Sequence, residues 1–268
     1  MSFEPPTTKE VLLDAVIQKA GEHVLSTVAP SENLDIPEAV YSFPGEFIPP
    51  CCTQAPIPIA LRNGPSDIML GLDKECPRWA PGSVIRWAAW RQGFKSDEDA
   101  VFAADHLSIA ANKWNSLDVG VKFEWVPLAK DAVFVLCHGG SNGNTLAQAF
   151  FPNPNDLSYF LVFNAAFSIK SWKENMWKIF THELGHVLGL RHEFSMDVNE
   201  QTGEVREKER AVQLGPRNEN SVMTYGRRPP EIQQSDIDST RAFYALTDDA
   251  NGDPPRIGMT DVRDYTPM

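Results

Sequence analysis

Eleven consecutive residues, His182–His192, constrain this chain more than any other stretch of it. They read H-E-x-x-H-x-x-G-x-x-H and contain three of the six histidines in the sequence. On an α-helix, a spacing of four places His182 and His186 on one face, one turn apart. Two neutral imidazole nitrogens in that arrangement can bind a zinc ion at about 2.0–2.1 Å each. The run therefore predicts a metal-binding helix.

The other fixed positions of the run predict a base and a third ligand. Glu183 follows the first ligand, where a carboxylate can accept a proton from water at the open position of the metal. Gly189 can adopt a positive φ and end the helix, so that His192 returns as the third ligand. Three protein ligands leave a fourth position for water, as in catalytic zinc sites. We therefore expect one catalytic Zn2+ held by His182, His186 and His192, with Glu183 as general base.

The residues before the run favour the same interpretation. H-E-x-x-H alone also arises by chance on ordinary amphipathic helices. Here the segment Trp172–Thr181 carries apolar residues at helical spacing, namely Trp172, Met176, Trp177 and Phe180. The glycine and the third histidine also stand at the required positions, so the metal site is favoured over a chance match.

The run resembles the zinc motif of the metzincin clan of endopeptidases, and Glu193 directly after it is similar to the astacin family in particular. Further along, Ser221–Gly226 (SVMTYG) resembles the Met-turn S-x-M-x-Y of astacins and serralysins. The resemblance implies that Met223 packs beneath the zinc. It also implies that Tyr225 is a second catalytic residue, which hydrogen-bonds the developing oxyanion. The alternative for both is ordinary core and turn packing.

The predicted elements between residues 83 and 163 support this resemblance, which covers residues 80–247. The periodicity predicts a long helix at Ser96–Leu117 and strands at 83–90, 121–126, 132–137, 145–151 and 161–163. The resemblance implies an α+β, metzincin-like fold. It would have a mixed twisted sheet, a long backing helix and an active-site helix above a smaller irregular C-terminal subdomain.

One of these strands, Thr145–Phe151, matches the place of the family's edge strand, which runs antiparallel to the substrate. An edge with free backbone groups can bind an extended peptide as an additional strand. The alternative is a plain hairpin strand.

Composition along the chain predicts three segments. We expect residues 1–78 to form an N-terminal extension, which includes a helix at 8–28. We expect residues 79–247 to form a metallopeptidase domain, which closes with a helix at 236–246, and residues 248–268 to form a disordered tail. The tail is rich in Asp, Gly and Pro, which is typical of poorly ordered chain.

The extension contains a segment with a possible regulatory role. Phe43–Glu46 (FPGE) resembles the F-x-G-D of astacin propeptides, whose aspartate caps the zinc, although glutamate stands here in its place. Matrixins use a cysteine thiolate instead, and Cys52 or Cys76 has the chemistry for that role. The alternative is an extension that only packs. In astacins the residue equivalent to Glu193 pairs with the new N-terminus, so in an uncleaved chain it needs another partner, such as an arginine.

The four cysteines all precede the predicted zinc helix: Cys51, Cys52, Cys76 and Cys137. The two-disulfide framework usual in astacins is therefore missing. Free thiols and a single pair, such as Cys76–Cys137, both remain open.

The acidic balance of the chain limits its partners. The net charge of −12 and pI of about 4.9 argue against nucleic acid and anionic membranes. No apolar run approaches the ~18 residues of a membrane-spanning helix. We expect a monomer that acts on a protein or peptide substrate and binds neither nucleic acid nor membrane.

The N-terminal residues bear on the compartment. Residues 1–6 lack the basic and apolar segments of a secretory signal. An intracellular protein, an unconventionally exported one, and a secreted form without its signal all remain open.

Together these observations predict a zinc-dependent endopeptidase, in which Glu183 activates a water on the zinc for attack on the peptide bond. One alternative is a latent or inactive zinc-binding module, which the intact Glu183 and Tyr225 disfavour. Another is a matrixin- or serralysin-like protease. Glu193 with Tyr225 disfavours the former, and the lack of Gly-rich calcium repeats disfavours the latter.

Overall fold

The structure is a computed structural model that describes residues 8–35, 75–198, 203, 211–215, 217–224 and 229–268. In that part of the chain the helices are α1 Thr8–Ala20, α2 Asp97–Ser116, α3 Asn164–Ser168, α4 Lys170–Glu174, α5 Met176–Val187 and α6 Gln234–Ala245. The strands are β1 Glu75–Trp79, β2 Val84–Ala89, β3 Lys122–Trp125, β4 Phe134–His138, β5 Ala147–Gln148, β6 Ser158–Val162, β7 Arg256–Ile257 and β8 Thr260–Tyr265.

Five strands form one mixed sheet in the order β3-β2-β4-β6-β5. The pairs β2–β3, β2–β4 and β4–β6 are parallel, and only β5 runs antiparallel to its neighbour. The central strand β4 is apolar and buried along Phe134–Cys137, because a strand in the middle of a parallel sheet is covered on both faces. The predicted α+β class with a mixed sheet is confirmed.

The two faces of the sheet contact different layers, and β4 shows the division. Phe134 and Leu136 belong to the large core beneath helices α2 and α5. Val135 and Cys137 point to the opposite face, where they pack in a smaller cluster with Leu13 of α1. This alternation follows from the two-residue period of a strand. The zinc-motif helix and the N-terminal helix therefore lie on opposite sides of the sheet.

Helix α2 forms where the sequence predicts it, within one residue at each end. Its N-cap Ser96 accepts a hydrogen bond of 3.2 Å from the Asp99 amide, which satisfies one of the free N–H groups of the first turn. The predicted apolar stripe is buried and consists of Ala100, Ala103, Ala104, Leu107, Ala110, Ala111 and Trp114. Its small alanines let α2 pack closely against α5.

The predicted helix at 8–28 is shorter in the structure. It breaks at Gly21, which has a φ of 87°, and a 3-10 turn follows at Glu22–Leu25. The chain then pairs with the end of β2, where Val28 N donates to Ala89 O over 2.9 Å. Helix α1 thus packs on the side of the sheet away from α5, whereas Val28 joins the larger core. Residues 36–74, which include Phe43–Glu46 and Cys52, lie outside the described residues.

The C-terminal segment corrects a prediction. Residues 248–268 were expected to be poorly ordered, yet β8 pairs in parallel with β1 and antiparallel with β7 to form a second, three-stranded sheet. The composition of 248–255 marks only a turn before the hairpin. The pairing partner β1 lies far away in sequence, so local composition carries no signal of it.

In the described ranges, no helix combines the length and the apolar character needed to cross a bilayer.

Candidate active site

Helix α5 carries the first half of the zinc motif and is buried along its whole length. Three aromatic side chains from different elements donate hydrogen bonds to carbonyl groups in and just after it. Trp114 Nε1 donates to Thr181 O (2.9 Å), Trp79 Nε1 to Val187 O (2.8 Å) and Tyr244 OH to Leu188 O (3.1 Å). Because buried carbonyls need partners, these contacts fix α5 relative to α2, β1 and α6.

The start of α5 is held by a buried histidine of α2. The Trp177 amide donates a 3.0 Å hydrogen bond to His106 Nδ1, so this ring caps a free N–H group of the first helical turn. Burial, and secondly the nearby charge of Lys173, lower the pKa of His106 from 6.5 to about 4. The ring is therefore neutral near pH 7 and can accept this hydrogen bond.

The structure brings the three predicted ligands together. One ring nitrogen of each of His182, His186 and His192 lies within 4.8 Å of the other two. All three side chains are buried. Nε2 of His186 lies 3.2 Å from Nε2 of His192.

Backbone carbonyls fix the tautomers of two of these rings. His182 Nδ1 lies 2.7 Å from Val222 O, and His186 Nδ1 lies 2.8 Å from Leu190 O. A carbonyl oxygen only accepts, so each Nδ1 carries the hydrogen and each Nε2 keeps its lone pair. Such outer contacts orient the rings of metal-binding histidines.

This geometry fits a zinc ion. Two nitrogens about 2.05 Å from one tetrahedral ion lie roughly 3.3 Å apart, close to the 3.2 Å between His186 and His192. Burial, followed by the neighbouring His192 and His182, lowers the pKa of His186 well below its usual value. Neutral imidazoles are the form that binds metal.

Gly189 makes the turn that returns His192 to the site. Its φ is 93°, in the left-handed region that favours glycine. A Cβ atom there would lie 2.2 Å from the Pro77 carbonyl oxygen of β1. Both the backbone angle and this close approach therefore require glycine. After the turn, the His192 ring stacks on Phe194 with centroids 5.0 Å apart.

The second motif lies directly against the zinc helix. Met223 is buried, and its Sδ would lie 2.4 Å from a Cβ atom added at Gly185, between the two helical ligands. The thioether thus fills the space that glycine leaves on α5. This is the packing position that the resemblance implies for Met223.

Sequence reasoning missed Asp236, at the start of α6. Its Oδ1 accepts from Ser221 Oγ (2.6 Å) and its Oδ2 from the Val222 amide (2.8 Å). Val222 in turn accepts from His182, so Asp236 reaches a ligand through one residue. A local signal existed, because an acidic side chain three residues after a helix N-cap forms a capping box, here with Gln233.

Glu193 has a different partner from those considered from sequence. Its Oε1 accepts a 2.7 Å hydrogen bond from the Asn218 amide, and its own amide donates to Met223 O over 3.2 Å. It therefore joins the zinc motif to the loop that leads into Ser221–Thr224.

Of the two predicted catalytic residues, Glu183 lies within the described part of the chain. Glu183 lies on α5 beside His182 and is 2% exposed. Tyr225 lies outside the described residues.

The predicted edge strand is present but short. β5 covers only Ala147–Gln148, and it is the outermost strand of the five-stranded sheet. The chain then leaves the sheet towards the histidines, where the Phe151 ring contacts His186 edge-on with centroids 5.6 Å apart. The Arg191 guanidinium lies 5.5 Å from the same ring.

A cavity of about 650 Å³ adjoins the site. Its wall includes β1, the turn at Gly189, the 211–214 segment and the first half of α6, together with Met223 and the β7–β8 turn. His192 lines it directly, so the cavity opens beside a predicted metal ligand.

The described cysteines do not pair. Cys76 and Cys137 are both free thiols, so the suggested Cys76–Cys137 disulfide is wrong. Burial raises the pKa of both, most strongly that of Cys137. Cys76 lines the cavity, but among the described residues the group with metal-ligand geometry contains the three histidines and not this thiol.

The fold and this site define a metallopeptidase of the metzincin type. A family model described as metallo-peptidase family M12, of the reprolysin type, matches residues 92–235. Because this is more than half of the chain, the protein belongs to metallo-peptidase family M12. The predicted membership of the metzincin clan is confirmed.

Among solved structures, two similar ones have low sequence identity to this chain. Myroilysin is 13% identical, with a TM-score of 0.46 over 63% of this chain and 95% of that one. High choriolytic enzyme 1, a hatching-enzyme zinc protease from Oryzias latipes (medaka fish), is 16% identical, with a TM-score of 0.42 over 63% and 94% of the respective chains. No curated protein matches the sequence significantly.

Proposed function

We propose that this protein is a zinc-dependent endopeptidase with an astacin-like site. The observation that carries the proposal is the 3.2 Å approach of the Nε2 atoms of His186 and His192, inside a buried group of three histidines. Membership of a metallopeptidase family supports the same reaction class.

The ligands in this proposal are His182, His186 and His192. When bound, zinc supplies Lewis acidity, which polarises a carbonyl and makes a water nucleophilic near neutral pH. Val222 and Leu190 hold Nδ1 of two of the rings, so that Nε2 would be the atom that binds the ion. Only the chain's own carbonyl groups are needed to set these tautomers.

Two side chains take part in the reaction: one transfers the proton, and the other stabilises the negative charge that develops on the substrate. Glu183 accepts the proton of the attacking water and delivers it to the leaving amine. Its burial beside the ligands keeps bulk water from competing for that proton. Tyr225 donates a hydrogen bond to the developing oxyanion, as the resemblance of Ser221–Gly226 to the Met-turn implies.

The substrate in this proposal is an extended protein or peptide segment. It lies along β5, the outermost strand of the five-stranded sheet, which leads through Phe151 to His186. The acidic net charge of −12 disfavours nucleic acid as a ligand. We further propose that the protein acts as a monomer. Its metallopeptidase domain consists of the predicted core, residues 79–247, together with β1, Glu75–Trp79, and the residues before β1 form the extension.

The test is the substitution Glu183→Ala, measured by zinc content and by hydrolysis of casein with and without a chelator. We expect about one zinc per chain in both proteins, and hydrolysis only in the wild type. Glu124→Ala is the control, since Glu124 is an exposed carboxylate on β3. Hydrolysis by Glu183→Ala at the wild-type rate would contradict the mechanism.

The same experiment distinguishes the proposed endopeptidase from the alternative function, a zinc-binding module without turnover. A zinc-binding module without turnover would bind one zinc per chain, and neither the full chain nor a form that begins at Glu75, and so keeps β1, would cleave casein. Activity that appears only after trimming would instead support a zinc-blocking role for the extension.

A further inference from the structure

The C-terminal hairpin, defined as Arg256–Tyr265, is built into the active-site region. β8 pairs with β1 in the register Glu75↔Asp261 to Trp79↔Tyr265. β1 in turn contacts the zinc motif twice. Trp79 Nε1 donates to Val187 O (2.8 Å). The Pro77 carbonyl oxygen lies so close to Gly189 that an added Cβ atom would be only 2.2 Å from it. The hairpin is therefore one strand away from the turn that positions His192.

Charged contacts fix the hairpin on β1. Arg78 is 2% exposed; its Nε donates to Asp264 Oδ1 (2.6 Å), and Nη2 donates to Leu246 O (2.9 Å). At the other end of β1, Glu75 accepts hydrogen bonds from Arg263 (3.1 Å) and from the Tyr265 hydroxyl (2.5 Å). These contacts make the hairpin a fixed wall rather than a loose end.

The hairpin lines the same cavity as His192. Ile257, Met259 and Thr260 contribute to its wall, and His192 lies on it as well. A substrate residue next to the scissile bond therefore has a space of about 650 Å³ available between the site and the hairpin.

Several apolar side chains are exposed at this cavity, among polar ones such as Gln213 and Asn218. Met259 is 99% exposed, Met196 53% and Val212 37%, and all three line the cavity. Exposed apolar groups that cluster at a concave site mark ligand contacts. Methionine is suited to such a role because its flexible thioether adapts to different apolar partners.

The carboxylates of the cavity are already engaged within the protein. Glu75 accepts from Arg263 and Tyr265, Glu193 from the Asn218 amide, and Asp236 from Ser221 and Val222. These hydrogen bonds hold the carboxylates to the wall of the cavity. The same space is also lined by Arg191 and by apolar side chains, among them Leu190, Leu214 and Ile257.

We infer that the C-terminal hairpin determines specificity, with Ile257 and Met259 selecting a large apolar substrate side chain beside the scissile bond. The inference rests on the proposed function, because it assigns a substrate preference to the same site. The hairpin belongs to the segment whose composition suggested a disordered tail.

Peptide binding tests the inference without relying on turnover. The full chain with Glu183→Gln keeps labelled peptides intact, and the peptides differ only by leucine or alanine at one position, scanned along their length. We expect the leucine peptide to bind at least about tenfold more tightly at one position, as three extra carbons in an apolar pocket imply. Adding Ile257→Ala and Met259→Ala should reduce that ratio to below about threefold.

Matched variants guard against an unfolded hairpin. Met259→Ala alone changes a side chain that is 99% exposed, so it should lower the ratio without changing the melting temperature. Met268→Ala alters an exposed methionine that does not line the cavity, and it should leave the ratio unchanged. An unchanged ratio in both hairpin variants, or no preference in the parent protein, overturns the inference. Casein hydrolysis by the wild type would still support the proposed function in that case.

Discussion

The imidazole of His182 donates a 2.7 Å hydrogen bond from Nδ1 to the carbonyl oxygen of Val222, forty residues further along the chain. The amide of Val222 in turn donates to the buried carboxylate of Asp236 over 2.8 Å. A helix ligand, a turn and the first turn of α6 are thus joined in series. The orientation of a predicted zinc ligand thus depends on a carboxylate that lies two hydrogen bonds away from it.

Removing the carboxylate of Asp236 should weaken the site through this series. In Asp236→Ala, Ser221 Oγ and Val222 N lose their acceptor, so the turn that orients His182 is released. Loss of outer contacts to metal ligands typically lowers metal affinity about 10- to 100-fold. Zinc affinity can be measured by competition with a chromophoric chelator.

Two variants sharpen this test. Asp236→Asn keeps one oxygen acceptor, so its zinc affinity should fall between those of the wild type and Asp236→Ala. Asp238→Ala, an exposed residue two positions along the same helix, should bind zinc as the wild type does. Equal affinities for all four proteins would show that the turn holds His182 without Asp236.

Replacing Gly189 with alanine should lower the unfolding free energy by more than backbone strain alone, and it should displace the third ligand, His192. Gly189→Ala incurs both the positive φ of 93° and a 2.2 Å contact with Pro77 O. Gly82→Ala is a matched control, since Gly82 has a φ of 82° and no atom within 4 Å of its added Cβ. The control should lose about 1–2 kcal/mol of unfolding free energy.

Gly189→Ala should lose more than the control, and it should also lose zinc affinity because His192 follows the turn. Urea unfolding and zinc titration of both variants measure the two effects. If the two variants behave alike, the contact with Pro77 contributes nothing to the placement of His192.

Acidification should destabilise the protein through His106. Its pKa is lowered to about 4 in the folded state, against about 6.5 in the unfolded chain. The unfolded state therefore binds the proton first, and stability is lost as pH falls from about 6.5 towards 4. Between pH 7 and pH 5 the loss from this group is roughly 2 kcal/mol.

A non-titrating variant isolates this effect. His106→Gln keeps a side-chain acceptor for the Trp177 amide but cannot gain a proton. Urea unfolding of the zinc-free protein should therefore show a smaller loss between pH 7 and pH 5 in the variant. An equal loss would assign the pH dependence to other groups, such as His186.

The features that sequence predicts well are those set by local chemistry. The spacing within His182–His192 brings three imidazoles together, because helix geometry and one glycine turn decide their positions. The apolar stripe of α2 is likewise read from neighbours in the chain. In each case the residues that matter lie within one short element.

The features that were missed depend on contacts between distant segments. The pairing of β8 with β1 joins strands nearly two hundred residues apart, as the separation of 186 between Arg78 and Asp264 shows. The role of Asp236 depends on a turn that packs against α6 only in the folded chain. The shortening of the predicted strand 145–151 follows from the turn of Phe151 towards His186, which no local pattern specifies.

The contact between Arg78 and Asp264 leads to the last prediction, on the C-terminal hairpin. Arg78 is 2% exposed, and Asp264 is 43% exposed. Asp264→Asn leaves a buried guanidinium with neutral partners, because Phe243 O and Leu246 O remain its acceptors. We expect the free energy of unfolding to fall by about 1–3 kcal/mol, the range for a hydrogen bond to a charged group.

The control substitution, Asp261→Asn, breaks an ion pair with Arg256 in which both side chains are exposed. It should therefore cost less than about 1 kcal/mol. Urea unfolding of the full chain compares the two substitutions at one pH. If the hairpin were loosely attached, both would have the same small effect, and the parallel pairing of β8 with β1 would contribute nothing to the stability of the domain.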